Sequence, residues 1–249
     1  MRAILTYHSI DSSGSPISVD ADAFGRHVEW LATGPVRVVA LEVLLNLPAD
    51  TDAAALTFDD GFENFQSVAA PLLTARELPA TVFVVSGHVG GTNAWGGKSQ
   101  PGIPTLPLLG WDALGRLAEH GVALGVHTHT HRPLPGLSSR VIEEEIEGCR
   151  DAIRKNTGHT PTAFAYPYGA VDRASAEAVG RSFRLACTTE HRALQSREDC
   201  ARLPRVDMYY FRSEPGVPGW GTSAFRRRLW TRRAARRVRG VLSQVGIGR

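Results

Sequence analysis

Cysteine and methionine are scarce, with three cysteines and two methionines among the 249 residues. Cys149, Cys187 and Cys200 are odd in number, lie far apart and include no Cys-x-x-Cys pair. This arrangement argues against a scaffold held together by disulfides and against a zinc site built from cysteine thiolates.

Long apolar runs are missing as well. Residues 1–8 hold only a few apolar side chains before polar ones, unlike a signal peptide. No run approaches the roughly 20 apolar residues of a transmembrane helix. With 43% hydrophobic and 21% charged residues, the composition is that of a soluble globular protein. We therefore expect a cytoplasmic protein.

Acidic residues are absent after Glu214, although the formal net charge of the whole chain is only +3. The residues that follow include a set of arginines, namely Arg226, Arg227, Arg228, Arg232, Arg233, Arg236, Arg237, Arg239 and Arg249. Residues 225–241 resemble a basic amphipathic helix, which can lie on an anionic membrane surface or bind nucleic acid. A solvated terminal helix is the alternative. Nothing in residues 1–214 supports nucleic-acid binding, so membrane-surface association is the partner we expect for the tail.

Apolar, often β-branched segments alternate with helical segments through most of the chain. The strand candidates are residues 3–9, 36–41, 53–60, 80–86, 122–129, 163–169, 183–189 and 202–208. The helix candidates are residues 20–32, 41–47, 62–77, 111–120, 138–156 and 172–181. Such alternation predicts a parallel sheet, and about eight strand candidates favour a barrel or near-barrel. The long Gly- and Pro-rich loop at 87–109 carries Trp95, a candidate to stack on a ligand ring.

Two adjacent carboxylates, Asp59 and Asp60, follow the third strand candidate directly and precede Gly61. Successive side chains on a strand point in different directions, so one carboxylate can bind a metal while the other accepts a proton. The alternative is an acidic turn, since Asp-Asp-Gly is also ordinary turn chemistry.

A cluster of histidines follows the strand candidate at 122–129, with His127, His129 and His131 inside five residues. In a helical turn His127 and His131 share one side, whereas in an extended strand all three share a face. Imidazole is the commonest metal ligand among side chains, and imidazole with carboxylate suits zinc or a similar divalent ion. The cluster therefore predicts a metal site. A third stretch, residues 163–169, is either a strand closed by a Pro-Tyr-Gly turn or a strand end whose Tyr168 backbone N–H faces a substrate oxygen.

Together and in this order, residues 57–61, 127–131 and 164–169 resemble the first three motifs of the polysaccharide deacetylases (carbohydrate esterase family 4, the NodB-homology domain). The resemblance covers roughly residues 3–210. It implies a distorted (β/α) barrel of about seven to eight mostly parallel strands. It also implies one divalent metal, zinc with nickel or cobalt as alternatives, and hydrolysis of N-acetyl groups on amino sugars.

Position by position, the resemblance implies that the metal ligands are Asp60, His127 and His131. It implies that Asp59 is the general base and that the backbone N–H of Tyr168 donates to the oxyanion. His129 falls at a variable position of the motif and is not expected among the ligands.

The sequence departs from the usual family pattern at the general acid. The family places a histidine near its C-terminal end, but residues 203–207 contain none. The first strand instead ends in a Tyr-His pair similar to that of the poly-N-acetylglucosamine deacetylase branch, so we expect His8 to be the acid, with His191 as a weaker competitor. The arginine that often orients the catalytic Asp is also missing from the third motif, and Arg205 or Asp207 is a candidate to replace it.

We therefore expect residues 1–214 to form a catalytic domain and residues 215–249 an Arg-rich, partly helical tail. The expected activity is metal-dependent removal of N-acetyl groups from an amino sugar, in a polysaccharide or in its glycolipid- or nucleotide-linked precursor, as part of exopolysaccharide biosynthesis. The alternatives are an esterase or amidase that acts on an O-acetyl or non-sugar substrate with the same metal site, and a catalytically silent sugar-binding homologue.

Overall fold

The computed structural model of the chain describes residues 1–232. The strands, in chain order, are β1 (Arg2–Tyr7), β2 (Ser9–Ile10), β3 (Ser18–Val19), β4 (Arg37–Val38), β5 (Ala53–Phe58), β6 (Ala80–Val84), β7 (Ala123–Val126), β8 (Ala163–Ala165), β9 (Leu185–Cys187) and β10 (Val206–Asp207). The α-helices are α1 (Ala21–Thr33), α2 (Leu41–Leu44), α3 (Ala70–Thr74), α4 (Trp111–Glu119), α5 (Ser139–Thr157) and α6 (Arg173–Ser182).

Eight of the strands form one parallel sheet in the order β10-β1-β5-β6-β7-β8-β9, with β4 also paired to β5. β2 and β3 form a separate two-stranded pair. The sheet curls, and residues 203–207 join its two edges. Leu203 exchanges backbone hydrogen bonds with Ala186 (2.7 Å) and Thr188 (2.8 Å) beside β9, and β10 then pairs with β1. The predicted distorted (β/α) barrel is confirmed.

Polar residues at the helix ends explain where the main helices begin. Asp20 accepts the Ala23 N–H at 2.8 Å before α1, and Asp172 forms a reciprocal capping box with Ser175 before α6. α5 ends at Gly158, whose φ of 75° suits glycine. The predicted helix at 62–77 is interrupted, because a π-helical turn at Phe65–Ala69 precedes α3.

Several strands are shorter than predicted. β7 ends at Val126 rather than 129, and β8 ends at Ala165 rather than 169. In both cases the chain leaves the sheet because Thr128 and Tyr168 adopt left-handed backbone conformations, with φ of 65° and 59°. The residues predicted as strand ends therefore form loops at the carboxyl edge of the sheet.

The sheet is buried on both faces, as parallel sheets usually are. On one face Tyr7 packs in parallel against Phe58, with ring centroids 5.2 Å apart, and contacts Phe24 of α1 edge-on. On the other face Ile4 and Phe83 belong to a smaller cluster made largely of alanines and leucines. The alternation of side chains along each strand thus supplies both cores.

The C-terminal part of the described chain packs on the same core. Residues 223–232 are helical, and Phe225 and Leu229 are buried. The indole N–H of Trp220 donates to the backbone carbonyl of Met1 at 3.2 Å. Residues 233–249, which hold part of the predicted Arg-rich tail, lie outside the described residues, so its association with membranes stays a prediction. No helix within residues 1–232 combines the length and hydrophobicity needed to cross a membrane.

Candidate metal centre and active site

The candidate site lies where several parallel strands end. His8 follows β1, Asp59 and Asp60 follow β5, His127 follows β7 and Tyr168 follows β8. All five line one pocket with about 450 Å³ of empty space. The carboxyl ends of barrel strands share one face, which is why residues far apart in the sequence meet here.

A compact group of three buried side chains lies at the centre of this pocket. Asp60 Oδ1 is 3.3 Å from His127 Nε2 and 3.2 Å from His131 Nε2. One ligand atom from each residue lies within 4.8 Å of the other two, a spacing that suits one shared metal ion. The structure therefore brings together the three residues predicted as metal ligands.

The hydrogen bonds around this group fit a divalent cation. His127 Nδ1 lies 2.7 Å from the carbonyl oxygen of Ala165, which can only accept, so this nitrogen carries the proton and Nε2 faces Asp60. Among residues 1–232, no group donates a well-formed hydrogen bond to Asp60 Oδ1, although this atom is buried. Two imidazole nitrogens and one carboxylate oxygen are thus directed at a common point, which is the donor set expected for zinc or a similar ion.

The side chains of Asp60, His127 and His131 shift one another's pKa values. Burial acts to raise the pKa of Asp60, but the imidazoles of His131 and His127 outweigh it and hold the pKa well below its usual range. Burial acts to lower the pKa of His127, yet the neighbouring carboxylates of Asp60 and Asp59 raise it overall. Burial dominates for His131 and lowers its pKa. A cation that binds here must therefore compete with a proton for His127.

Asp59 lies beside this group and forms a bidentate ion pair with Arg205. Both oxygens of Asp59 accept from the guanidinium at 2.6 Å. Arg205 is fully buried, and its Nε donates to the carbonyl of Thr188 at 2.9 Å. Burial acts to raise the pKa of Asp59, but Arg205 outweighs it and lowers the pKa, so Asp59 is ionised at neutral pH. Asp207, the other candidate for this contact, accepts the Tyr209 N–H at 3.1 Å.

His8 lies beside the same carboxylate, with Nε2 3.8 Å from Asp59 Oδ2, and its side chain is partly open to the pocket. Asn64 fixes the residues that follow His8. Its amide donates to Ser9 Oγ at 2.6 Å and accepts the Ile10 N–H at 3.1 Å. Asn64 was not predicted from the sequence, because nothing in its local pattern distinguishes it from an ordinary turn asparagine.

His191, the weaker candidate for the acid, lies in a different environment. Its side chain is buried, Nδ1 accepts the backbone N–H of Asp207 at 3.2 Å, and its ring packs edge-on against Tyr210. These contacts are those of a packed structural histidine. The residues that line the site pocket include His8 and not His191.

Strained backbone is concentrated at this site. Within residues 1–232, five non-glycine residues have positive φ, and four of these are Asp60 (71°), Thr128 (65°), His131 (60°) and Tyr168 (59°). Such conformations cost about 1–3 kcal/mol each and persist only where the surroundings fix them. Thr128 Oγ1 accepts the His131 N–H at 3.0 Å, which holds one of them in place.

The loop that carries His131 is held by Glu145 of α5, a residue the sequence analysis missed. Its carboxylate accepts the N–H groups of His129 (2.9 Å) and Thr130 (2.8 Å) and the Thr130 hydroxyl (2.6 Å). His129 itself turns toward Ser86, with Nδ1 2.9 Å from Oγ. A signal for Glu145 was present in the sequence, because this acidic residue lies on the buried stripe of an amphipathic helix.

Trp95 covers the metal group from the long loop at 87–109. Its ring stacks on His131, with centroids 4.2 Å apart and planes inclined by 25°. Asn93 anchors the loop by accepting the Leu106 N–H at 2.8 Å and donating to the Pro104 carbonyl at 3.0 Å. One face of the indole thus packs on a candidate ligand, while Trp95 also lines the pocket.

Comparison with known proteins agrees with this geometry. The profile of the family described as polysaccharide deacetylase matches residues 46–182. The chain is 26% identical over 228 residues to YxkH, a Bacillus subtilis protein named as a polysaccharide deacetylase, and the match covers 89% of this chain and 75% of YxkH. It is 24% identical over 203 residues to the poly-β-1,6-N-acetyl-D-glucosamine N-deacetylase of Staphylococcus epidermidis, covering 76% of this chain and 67% of that one.

Solved structures show the same fold. IcaB from Ammonifex degensii superposes with a TM-score of 0.71 at 23% identity, covering 86% of this chain and 96% of IcaB. The Streptococcus pyogenes deacetylase PplD superposes with a TM-score of 0.69 at 22% identity, covering 82% of this chain and 91% of PplD. Since the family profile spans more than half of the residues, this chain belongs to the polysaccharide deacetylase family.

Proposed function

We propose that the protein is a divalent-metal-dependent deacetylase that hydrolyses the acetamide of an N-acetylated amino sugar. The observation that carries the proposal is the buried group of Asp60, His127 and His131, with the Arg205-paired Asp59 and His8 beside it in one pocket. A binding protein without catalysis has no need of an ionised carboxylate and an imidazole side by side at a metal site.

Each side chain in the pocket fits one part of amide hydrolysis. A divalent cation held by the three ligands would supply Lewis-acid polarisation of the acetyl carbonyl and acidify water. Asp59, kept ionised by Arg205, takes the proton from the attacking water, and His8 gives a proton to the departing amine. The backbone N–H of Tyr168 donates to the carbonyl oxygen as negative charge develops there, an interaction worth about 3–4 kcal/mol in other enzymes.

The substrate class is supported by the relatives. A Staphylococcus epidermidis relative is named for its action on poly-β-1,6-N-acetyl-D-glucosamine. The Tyr-His pair at the end of β1 is the sequence feature that we associate with that branch. We therefore propose an N-acetylglucosamine-containing glycan, or its glycolipid- or nucleotide-linked precursor, as the substrate, and zinc as the first metal to test.

The test is acetate release by the purified chain. Metal-stripped protein is reloaded with zinc, nickel or cobalt and given β-1,6-linked N-acetylglucosamine oligomers, an O-acetylated sugar and a simple aryl acetamide. We expect metal-dependent acetate release from the N-acetylated oligomers, and a loss of about 10²–10⁴-fold in kcat for Asp59→Asn. Asp20→Asn, which alters a half-buried helix cap outside the site pocket, is the matched control.

The other outcomes separate the alternatives. Turnover of the O-acetylated sugar or the aryl acetamide only would show that the same centre cleaves acetyl esters or non-sugar amides instead of the acetamide of an amino sugar. Sugar binding without turnover, unaffected by Asp59→Asn, would show a silent homologue and overturn the proposal.

A further inference from the structure

The two histidines of the candidate metal group are held in place by different kinds of contact. His127 Nδ1 lies 2.7 Å from the carbonyl oxygen of Ala165, so a hydrogen bond on the far side of the ring fixes its orientation. Metal-ligating histidines usually have such a partner, which sets both the ring and its tautomer. His131 Nδ1 is buried and makes no hydrogen bond to any group within residues 1–232. The imidazole of His131 is therefore oriented by other contacts.

Aromatic rings supply these contacts. The indole of Trp95 stacks on the imidazole of His131, with centroids 4.2 Å apart and planes inclined by 25°. The ring of Tyr168 meets the same imidazole edge-on, with centroids 4.8 Å apart and planes inclined by 70°. Since stacked rings at this distance are in van der Waals contact, rotation of the imidazole about its Cβ–Cγ bond would drive it into the indole. The rings thus restrict His131 as the Ala165 carbonyl restricts His127.

Trp95 reaches the imidazole from the loop at 87–109, whose two ends are joined. The Leu108 N–H donates to the Gly91 carbonyl at 2.9 Å. The chain turns directly after Trp95, where Gly96 has a φ of 63° that suits glycine. The closed loop therefore fixes where the indole lies.

This geometry points to a role for Trp95 that differs from the stacking on a ligand ring suggested by the sequence. One face of the indole is already used by His131, so that face is closed to a sugar ring. The contact is made with a side chain that shares Asp60 with His127, not with the open part of the pocket. Removal of the indole should therefore affect the metal before it affects the sugar.

We propose that Trp95 is a positioning residue for the metal ligand His131, and that its stacking takes the place of the hydrogen bond that orients His127. The inference rests on the metal centre of the proposed function and adds a residue outside the three sequence motifs on which metal affinity depends. Trp95 acts through the imidazole and needs no contact with the metal or with the acetyl group.

The test is the zinc affinity of the full-length protein, measured by competition with a chromogenic chelator. We expect Trp95→Ala to weaken zinc binding about 10–100-fold, the range for loss of an outer contact that orients a ligating histidine. Trp95→Phe should recover most of this loss, because a phenyl ring can also stack on imidazole. Lys98→Ala, which alters an exposed residue of the same loop that does not line the site pocket, should match the wild type.

A second variant separates the aromatic face from the volume it fills. Trp95→Leu keeps an apolar side chain without a flat face, and we expect it to lose affinity as Trp95→Ala does. Thermal melts of the metal-free proteins show which variants are folded, and Trp95→Leu with Trp95→Phe decides the matter if the alanine variant is not. Equal recovery by leucine and phenylalanine would overturn the stacking role.

Cobalt in place of zinc reports the ligand geometry directly, because its visible absorption depends on the number and arrangement of the ligands. The spectrum of the cobalt-saturated protein should change in Trp95→Leu and stay as in the wild type in Trp95→Phe and Lys98→Ala. A purely structural role would lower the melting temperature and leave this spectrum unchanged, which would overturn the inference.

Failure of this inference is distinct from failure of the proposed function. Wild-type zinc affinity in Trp95→Ala, combined with a raised KM for N-acetylated oligomers, would make the indole a platform for the sugar and overturn the positioning role alone. Absence of stoichiometric zinc or cobalt from the wild-type protein would remove the metal centre and the proposed function with it.

Discussion

Both terminal nitrogens of the Arg205 guanidinium donate hydrogen bonds to the carboxylate of Asp59, at 2.6 Å each. The two residues are 146 positions apart in the chain. The pair is buried on both sides, with Arg205 and Asp59 only 1% and 2% exposed. A planar guanidinium fixes the plane of a carboxylate, which a lysine ammonium does not. One residue, Arg205, therefore both fixes the orientation of the candidate general base and keeps it ionised.

Substitution of Arg205 should separate charge from orientation. Arg205→Lys keeps the positive charge but loses the bidentate geometry, and we expect kcat/KM for deacetylation to fall roughly 100-fold, as for other misplacements of a reacting group by about 1 Å. Arg205→Met leaves a buried carboxylate unpaired, and we expect the free energy of unfolding at neutral pH to fall by about 3–5 kcal/mol, measured by urea denaturation. Full activity of the lysine variant would contradict the orienting role.

The stability effect of Arg205→Met should depend on pH in a defined direction. In the wild-type protein the pKa of Asp59 is lower in the folded state than in the unfolded state. The pair therefore stabilises fully above the unfolded pKa of about 3.9 and loses its effect as the pH falls through the folded pKa. In the variant, burial without a partner raises the pKa, so protonation relieves the penalty. The difference in unfolding free energy between the two proteins should shrink from neutral pH toward pH about 4.

Metal binding can be tested by a pair of histidine substitutions. We expect His127→Ala to lose stoichiometric zinc, whereas the neighbouring His129→Ala should retain it, because His129 contacts Ser86 instead of Asp60. The measurement is metal analysis of the purified proteins. Saturating zinc should also stabilise the wild-type fold by about 4 kcal/mol at a concentration 1,000 times its Kd. Equal zinc content in both variants would place the metal elsewhere.

Competition between the metal and a proton for His127 gives a second test of the site, measured by calorimetry. Since the pKa of His127 is raised in the metal-free protein, zinc should bind more tightly as the pH rises through that pKa. Calorimetric titrations in buffers of different ionisation enthalpy should show proton release in the wild-type protein.

If His8 is the general acid, its contribution to the rate should depend on whether the leaving group needs a proton. Substrates with different leaving groups can therefore test this role. His8→Ala should lower kcat for an N-acetylated sugar by about 10²–10⁴-fold, because an amine must be protonated as it departs. The same variant should have much less effect on a 4-nitrophenyl acetate ester, whose phenolate departs without a proton. Steady-state kinetics on both substrates, with His191→Ala as the control, tests this. Equal losses on the two substrates would argue that His8 positions the site instead.

Glu145 should control metal affinity without touching the metal. Glu145→Ala leaves the N–H groups of His129 and Thr130 without their acceptor, so we expect a roughly 10–100-fold weaker zinc affinity and a destabilisation of about 0.5–1.5 kcal/mol per lost hydrogen bond. Glu145→Gln keeps one acceptor oxygen and should have a smaller effect. Competition with a chromogenic chelator measures the affinity. Glu144→Ala, an exposed neighbour on the same helix, should match the wild type.

Thiol reactivity provides a check of the fold that is independent of activity. Burial raises the pKa of Cys149 to about 11 and that of Cys187 to about 12, so both remain protonated at pH about 8. Cys200 is exposed. Native protein should therefore react with one equivalent of a disulfide reagent such as 5,5′-dithiobis(2-nitrobenzoate), and unfolded protein with three. Cys200→Ser should abolish the native reaction, and rapid labelling of a second thiol would contradict the described packing.

The barrel was predictable from the alternation of strand and helix segments, and the grouping of Asp60 with His127 and His131 was predictable from the resemblance of their motifs to those of the polysaccharide deacetylases. Alternating apolar segments indicate strands and helices, and parallel strands bring their carboxyl ends to one face. The motifs that directly follow these strands therefore lie on the same face of the barrel. Strand lengths were overestimated at β7 and β8, since left-handed residues such as Thr128 leave no mark in a hydrophobic pattern.

The contacts that support the site were harder to predict because they join segments that are distant in the sequence. Arg205 was one of two candidates for orienting Asp59, and only the register of β10 beside β1 distinguishes it from Asp207. Asn64 and Glu145 act through hydrogen bonds to backbone groups of other segments, and such contacts follow from the shapes of loops. Periodicity reports which face of an element is buried but not which polar group it meets.

The segment at 203–207 joins the two edges of the sheet and also carries Arg205. The three candidate metal ligands all precede residue 132, whereas Asp59 receives its guanidinium from a segment 146 residues further along the chain. The orientation of the candidate base therefore depends on closure of the sheet between β9 and β1, so a substitution that loosens this closure can act on Asp59 from outside the pocket.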